Sequence, residues 1–178
     1  PIVKEKWPGS SETEQRAMAS SVGIGAVKYA DLSPNLATDY QFEWDKLLAA
    51  DGNTGPYLQY SLVRIRSVLR EYRTRTGEDF VPDGHPLALT EPQELDLALD
   101  LLKFGDTLDR VGRSLRPHFL GGYLYGVARR FNPFYAKCPI LGAPDEATRR
   151  SRLGLCVATA RTLEIGLECL NLPSLERM

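Results

Sequence analysis

Apolar side chains recur at the three- and four-residue spacing of an α-helix along most of this chain, and this spacing is what most restricts its fold. From position 56 to about 75 the apolar stripe consists of Leu58, Leu62, Ile65, Val68, Leu69 and Tyr72. Thr54 precedes the stripe as a natural N-cap, and Pro56 falls in the first helical turn, where the missing N–H of proline is harmless. The segment therefore predicts an amphipathic helix.

Further segments carry the same spacing. We predict four more helices, over 12–32, about 90–116, 117–131 and about 145–170. The second of these begins at a capping pair formed by Thr90 and Gln93. Between them, 76–92 and 131–145 have the glycine, proline and aromatic residues of loops. Because no strong alternating series indicates strands, we predict an all-α fold: a bundle of about five helices with a short, less regular N-terminal portion.

Two expectations concern the faces of these segments. The helix that begins near position 90 is expected to turn toward the core Leu95, Leu99, Leu102, Val111 and Leu115. Tyr40, Phe42 and Trp44 alternate with polar residues, which is typical of a short extended segment with one aromatic face. Asp96 and Asp100 lie one helical turn apart, and we expect them on a solvated face rather than in a catalytic pair.

Composition and charge exclude several classes of protein. The 178 residues are 43% apolar and 25% charged, and the net charge of −1 implies no general affinity for nucleic acid, so a local basic patch would be needed. No apolar run approaches the roughly 20 residues that span a bilayer, and the first residues lack a signal-peptide pattern. Three widely spaced cysteines indicate free thiols in a reducing compartment, and two distant histidines offer little material for a metal site.

Common catalytic motifs are absent from the sequence, whereas arginine and aromatic residues are frequent. There is no GxGxxG, no GxxxxGK[ST] and no GxSxG motif. The arginines form three groups: 64, 66, 70, 73 and 75; 110, 113, 116, 129 and 130; and 149, 150 and 152. Guanidinium groups suit phosphate, and exposed tyrosines can stack on unpaired bases. A second interpretation leaves these arginines paired with carboxylates between 78 and 109 and the aromatic residues in the core.

Three stretches resemble the C-terminal region of arginyl-tRNA synthetases. They are VGIGAVKYADLS, YQFEWDKLLAADGNTGPYLQYSLVRIRSV and the terminal ERM. The downstream helices are similar to the DALR-type anticodon-binding domain of that family, which belongs to the class I synthetases. The resemblance covers nearly the whole chain, and its most specific parts are KYADLS, GNTGPYLQY and the final methionine.

The resemblance implies a division of the chain into two parts. Residues 1–55 would form the end of the catalytic region and a connecting loop, and residues 56–178 the DALR domain. The catalytic signatures of the family belong upstream, so we expect a fragment with no catalytic residues, metal or cofactor of its own. ATP and arginine would bind the missing catalytic domain of a cytoplasmic arginine–tRNA ligase. The implied partners are the anticodon arm of tRNA-Arg and that catalytic domain, with no membrane and no DNA.

The resemblance also implies which residues contact tRNA. They are Ala49, Asp51, Gly52, Asn53 and Thr54 in a loop, Tyr57, Tyr60 and Arg64 on one face of the next helix, and Tyr135 and Met178 near the anticodon. Because Gly52 has no side chain, RNA phosphate could approach the backbone N–H groups there. Tyr135 matches a tyrosine of the family. In eukaryotic relatives a second aromatic residue lies four positions after that tyrosine, whereas this chain has Pro139 there.

Two other functions stay open. A helical protein–protein interaction module would present an exposed apolar patch instead of a basic one. A self-contained enzyme would need a deep pocket with convergent ionisable groups, for which the sequence has no candidate set. Recognition of tRNA by guanidinium groups and flat rings is therefore the first hypothesis.

Overall fold

A computed structural model describes residues 11–84 and 86–178 of the chain. Within those residues the regular structure is entirely helical, which confirms the all-α prediction. The helices are α1 (Glu12–Leu32), α2 (Trp44–Leu47), α3 (Gly55–Thr76), α4 (Pro92–Leu102), α5 (Phe104–Ser114), α6 (His118–Lys137) and α7 (Glu146–Cys169). The helices predicted over 12–32, 56–75 and 145–170 are thus present.

Helix α3 packs against α1, α6 and α7. Its predicted apolar stripe is confirmed, since Leu58, Leu62 and Ile65 are fully buried. Thr54 caps it as predicted, because its side chain accepts a hydrogen bond from the N–H of Tyr57. The core positions predicted for the last helix are buried as well: Leu153, Cys156, Ala160, Leu163 and Leu167 in α7, and Leu170 at its C-cap. Since its apolar face is anchored in this core, α3 presents the remaining side chains in fixed directions.

The backbones of α1 and α3 approach each other closely at two glycines. A Cβ atom at Gly55 would lie 2.6 Å from the carbonyl oxygen of Gly25, and one at Gly25 would lie 2.8 Å from Nε2 of Gln59. Gln59 is buried, and this Nε2 donates a hydrogen bond to the carbonyl of Pro173 at 2.8 Å. The glycines therefore allow α1 to bring Tyr29 against the loop that precedes α3.

The single helix predicted from about 90 to 116 is wrong, because the chain divides into α4 and α5 at Lys103. The hydroxyl of Tyr123 donates a hydrogen bond to the carbonyl of Asp100 at 3.0 Å. In a continuous helix that carbonyl would accept from the N–H of Phe104, but here the N–H of Lys103 reaches it at 3.2 Å. Helix α5 then begins at Phe104, whose ring stacks on that of Tyr123.

The predicted inward face of this segment is also wrong. Four leucines expected in the core are exposed, namely Leu95, Leu99, Leu102 and Leu115. Val111, also expected there, is only half-buried. Instead, Glu94 and Leu97 face inward and are fully buried. Oε1 of Glu94 accepts a hydrogen bond from Nε of Arg152 at 2.6 Å. This buried ion pair rotates α4 so that a charged side chain occupies a core position and the leucines face outward.

The start of α4 differs by one residue from the prediction. The predicted capping pair is Thr90 with Gln93, whereas the structure has a capping box of Glu91 and Glu94. Oε2 of Glu94 accepts from the N–H groups of Thr90 at 2.7 Å and of Glu91 at 2.9 Å. The Glu94 carboxylate therefore serves as both helix cap and ion-pair partner.

The pKa of Glu94 predicts how the stability of the chain depends on pH. Burial raises the pKa of this carboxyl, but hydrogen bonds from the Glu91 N–H and the Arg152 guanidinium outweigh it, so the pKa lies below its ordinary 4.5. A carboxyl with a lower pKa in the folded state stabilises the fold above its unfolded pKa, and this contribution is lost as the pH falls through the folded pKa. We therefore expect the free energy of unfolding, measured with urea, to decrease as the pH is lowered below about 4.5.

A glutamine variant isolates this contribution. The difference in unfolding free energy between the wild type and Glu94→Gln should narrow as the pH falls from neutral to about 3, because the wild-type carboxyl then becomes neutral too. A difference that stays constant over this range would contradict the assignment.

Helix α6 extends beyond its predicted end at 131 and ends at Lys137, so the predicted aromatic loop begins later. Pro133 lies inside its last turns, where it removes one helical hydrogen bond. Phe131 and Phe134 on either side are fully buried, and the burial of each side chain stabilises the fold by about 1.5–3 kcal/mol. Two such burials offset a proline penalty of about 3 kcal/mol. Tyr135 is therefore a helical residue rather than a loop residue.

Candidate functional site

Helices α3 and α6 bring three predicted site residues together around one guanidinium. Tyr60 and Arg64 lie one turn apart on α3, and Tyr135 lies near the end of α6. The Cζ atom of Arg64 is 4.8 Å from the ring centroid of Tyr60 and 5.4 Å from that of Tyr135. Both tyrosines are exposed, at 37% and 41%. Two flat rings beside a cation are therefore accessible to a ligand.

Asn132 holds this guanidinium in place. Its Oδ1 accepts a hydrogen bond from Nη1 of Arg64 at 2.9 Å, and its Nδ2 donates to the hydroxyl oxygen of Tyr57 at 2.7 Å. Nη2 of Arg64 also donates to the hydroxyl of Tyr60 at 3.2 Å. We call Tyr57, Tyr60, Arg64, Asn132 and Tyr135 the tyrosine–arginine cluster. Its internal hydrogen bonds order the side chains in advance, which reduces the entropy lost when a ligand binds.

The surroundings of Tyr57 favour a neutral hydroxyl. Burial and the neighbouring Tyr125 raise the pKa of Tyr57, while the hydrogen bond from Asn132 and the guanidinium groups of Arg129 and Arg64 act in the opposite direction. The Tyr57 oxygen already accepts from Asn132. Its own proton can therefore be donated to an acceptor oxygen of a ligand.

The loop 49–54 is held in shape by hydrogen bonds at both of its ends. Oγ1 of Thr54 donates to the carbonyl of Ala49 at 2.7 Å. Oδ1 of Asn53 accepts from the hydroxyl of Tyr29 at 2.6 Å. These contacts tie the loop to itself and to α1.

The middle of this loop is open to solvent. Asp51 and Gly52 are both exposed, and Gly52 has a φ of 71°, a left-handed conformation that glycine adopts without strain. A Cβ atom at Gly52 would have no neighbour within 4 Å. A groove of about 450 Å³ opens beside the loop, and its lining includes Tyr40 and Lys46. The backbone at Gly52 thus has the access that the predicted phosphate contact requires.

The loop 49–54 and the tyrosine–arginine cluster both lie along α6. The hydroxyl of Tyr29, which binds the loop, is also 3.0 Å from the carbonyl oxygen of Gly121 on α6. One turn further along, Tyr125 packs edge-on against Tyr57 with ring centroids 5.6 Å apart. The two predicted parts of the site are therefore contiguous.

The tail that ends in Met178 lies on another side of α3. Arg66 donates to the carbonyl of Leu175 at 2.6 Å and pairs with the Glu176 carboxylate at 2.9 Å. Residues i and i+2 of an α-helix are rotated by about 200° around its axis, so Arg64 and Arg66 project from nearly opposite faces of α3. Met178 itself is half-buried. Its contact with the anticodon stays a prediction.

The arginines differ in whether a carboxylate neutralises them. The second sequence interpretation is confirmed for those that bind carboxylates between 78 and 109: Arg73 with Asp79, Arg113 with Asp109, Arg130 with Asp96 and Asp100, Arg150 with Asp83, and Arg152 with Glu94. Among residues 11–84 and 86–178, Arg64 and Arg129 have no carboxylate partner and lie over tyrosine rings. Their charge is therefore available to an anion.

Three residues of this region are outside the set predicted from the sequence. Asn132 falls in the predicted loop, because Pro133 indicates the end of a helix. Tyr125 and Arg129 lie inside the predicted helix 117–131, but their relation to Tyr57 depends on how α6 packs on α3. The i, i+4, i+7 spacing of positions 125, 129 and 132 is the signal that identifies them once α6 is extended.

A model of the DALR anticodon binding domain family matches residues 58–178, well over half of the chain. The chain belongs to the DALR anticodon-binding domain family. Within the tyrosine–arginine cluster, all members except Tyr57 fall in this DALR match. A model of the catalytic domain of class I tRNA synthetases (R) matches residues 2–44.

Known proteins resemble this DALR chain along almost its whole length. It is 46% identical over 177 residues to the arginine–tRNA ligase of Proteus mirabilis (strain HI4320) and 48% identical to that of Klebsiella pneumoniae (strain 342). Its structure is similar to the Thermus thermophilus arginyl-tRNA synthetase, with a TM-score of 0.88 and 34% identity. Each match covers 99% of this chain but 30% of the other protein. The resemblance inferred from the sequence is confirmed, and the chain spans under a third of the curated relatives that it matches.

Proposed function

We propose that this chain recognises the anticodon arm of tRNA-Arg as the C-terminal part of an arginine–tRNA ligase. The observation that carries the proposal is the position of Arg64, which lacks a carboxylate partner among the described residues and lies beside the exposed rings of Tyr60 and Tyr135. Sequence-specific RNA recognition mostly uses unpaired bases stacked on aromatic rings, with guanidinium groups on phosphates. The cluster combines both chemistries in a chain of the DALR family.

Each part of the site has a role in this proposal. Tyr60 and Tyr135 stack on unpaired bases of the anticodon loop, and Arg64 binds a phosphate between them. Tyr57 donates its hydroxyl proton to a ribose or phosphate oxygen. The loop Ala49, Asp51, Gly52, Asn53 and Thr54 approaches the inner side of the anticodon arm through its backbone. Met178, whose tail is held by Arg66 on another side of α3, contacts the anticodon from that side.

In our proposal, this chain is one part of the complete ligase, which also has a catalytic domain. It attaches arginine to tRNA-Arg with ATP, and both small substrates bind its catalytic domain. The family matches at 2–44 and 58–178 support a boundary near 55. We also propose a cytoplasmic location. As a separate finding, none of the helices among the described residues combines the length and the apolar content of a membrane span.

Binding of labelled tRNA tests the proposal directly. We expect the chain to bind tRNA-Arg more tightly than an unrelated tRNA at low salt. Tyr135→Ala should weaken this binding by about 1–3 kcal/mol, roughly 5- to 150-fold, because it removes a stacking ring. Fluorescence anisotropy at several salt concentrations measures both affinities.

The matched control is Tyr135→Phe, which keeps the ring. It should bind within about threefold of the wild type, since base–ring stacking supplies the interaction. Equal affinities of Tyr135→Ala and the wild type, with equal melting temperatures, would refute the role of the cluster. Equal affinity for both tRNAs would refute the proposed specificity.

A protein–protein interaction module is the second candidate, because α4 exposes a row of leucines. Leu95, Leu99 and Leu102 are 48%, 49% and 79% exposed on one face. This face differs from the one that carries the tyrosine–arginine cluster. In the tRNA assay, Leu95→Ser/Leu99→Ser should therefore bind like the wild type. Absence of tRNA binding by the wild-type chain would favour the second candidate.

A further inference from the structure

The exposed face of α6 continues beyond the tyrosine–arginine cluster. Arg129 is exposed, and its Cζ atom lies 5.7 Å from the ring centroid of Tyr125. The Tyr125 ring in turn packs edge-on against Tyr57. Two guanidinium groups without a carboxylate partner among the described residues, those of Arg129 and Arg64, thus lie near Tyr57, the first through Tyr125 and the second through Asn132.

The adjacent Arg130 is in a different environment. Its Nη1 is 3.1 Å from the Asp96 carboxylate and its Nε is 3.1 Å from that of Asp100. Two carboxylates therefore neutralise Arg130, whereas Arg129 lies over the Tyr125 ring and has no carboxylate partner among the described residues. Two successive arginines of one helix differ in whether their charge is available to a ligand.

The backbone at Arg129 also differs from that of an ordinary helix. Its carbonyl oxygen would normally accept a hydrogen bond from the N–H of residue 133. Residue 133 is a proline inside α6, so this donor does not exist. Both Arg129 and Pro133 are exposed. The same residue therefore has a charged donor on its side chain and a backbone carbonyl that lacks its usual helical donor from residue 133.

We propose that Arg129 anchors the ribose–phosphate backbone of an RNA strand: its guanidinium binds a phosphate, and its carbonyl accepts a hydrogen bond from a ribose 2′-hydroxyl. RNA differs from DNA by this hydroxyl, which is a donor that a free carbonyl can bind. Asn132, which orients Arg64, lies nearly one turn further along α6. The strand thus passes from the Arg129 anchor to the stacking rings. This inference rests on the proposed function and extends it to the residues that select RNA.

The phosphate contact is tested by replacing two neighbouring arginines. The probe is a labelled hairpin with the sequence of the anticodon arm of tRNA-Arg. Arg129→Gln should weaken binding about 5- to 10-fold and reduce the slope of log affinity against log salt by about 0.7–0.9, the value for one phosphate contact. Arg130→Gln changes the net charge by the same amount but should stay within about twofold, because that guanidinium is already bound to carboxylates.

The 2′-hydroxyl contact is tested by Pro133→Ala. Alanine restores the N–H that binds the Arg129 carbonyl and favours the helix, so the fold is retained. We expect this variant to bind the RNA hairpin about 2- to 10-fold more weakly, as for one lost hydrogen bond, and a DNA hairpin of the same sequence unchanged. Unchanged RNA affinity, or equal losses for RNA and DNA, would overturn the carbonyl contact.

Arg64→Gln separates this inference from the proposed function. If Arg64→Gln loses hairpin binding while Arg129→Gln has the affinity and salt slope of the wild type, the anchor is refuted and the proposed function stands. If Arg64→Gln and Arg129→Gln both bind like the wild type, both proposals are refuted. Loss in Arg129→Gln with a wild-type Arg130→Gln supports the anchor.

Discussion

Glu94→Gln is expected to destabilise the chain by about 3–5 kcal/mol, because it removes one partner of a buried ion pair and leaves the guanidinium of Arg152 uncompensated. The side chains of Glu94 and Arg152 are 0% and 6% exposed. An amide cannot replace the carboxylate, since its NH₂ group would face either the Nε–H of Arg152 or the N–H groups of Thr90 and Glu91.

Urea unfolding followed by circular dichroism measures this effect. The matched control is Glu71→Gln, which removes the same charge from an exposed pair with Arg75 and should change the stability by at most about 0.5 kcal/mol. If the two variants have the same midpoint and slope, Glu94 does not hold a buried, charged position in the fold.

Gly55→Ala is expected to destabilise the chain by about 1–3 kcal/mol, although alanine is the better helix former. The new Cβ atom would lie 2.6 Å from the carbonyl oxygen of Gly25 and 3.1 Å from Cβ of Tyr29. One neighbour is backbone and cannot rotate away, so α1 and α3 must separate. This separation also pulls the Tyr29 hydroxyl away from Asn53, so tRNA binding should weaken as well.

Gly23→Ala is the control for this substitution, because a Cβ atom there would have no neighbour within 4 Å. It should stabilise α1 by about 0.5–1 kcal/mol through helix propensity alone. Thermal unfolding of both variants distinguishes the two effects. A gain in stability for Gly55→Ala equal to that of Gly23→Ala would show that the close approach of α1 and α3 does not exist in solution.

The candidate site could be predicted in part from the sequence. The shared face of Tyr57, Tyr60 and Arg64 follows from their spacing on one helix, and Thr54 is recognisable as its cap. The link from Arg64 to Asn132 is not recognisable in this way, because it joins residues 68 positions apart. Pro133 indicates a helix end by its local chemistry, and only the burial of its neighbours in the core shows that the helix continues.

The sequence by itself determined where α1, α3 and α7 lie and which residues cap and line them, because apolar period and N-cap chemistry act within a few positions. The tertiary structure alone decided which face of α4 is buried. A charged residue such as Glu94 is read as a surface position, and it is buried because Arg152, 58 positions away, supplies the countercharge. The same holds for Arg130, Arg150 and Arg152, because the carboxylates that neutralise them lie on other segments and are brought to them only by tertiary packing. That packing brings no such carboxylate to Arg64 or Arg129 among the described residues.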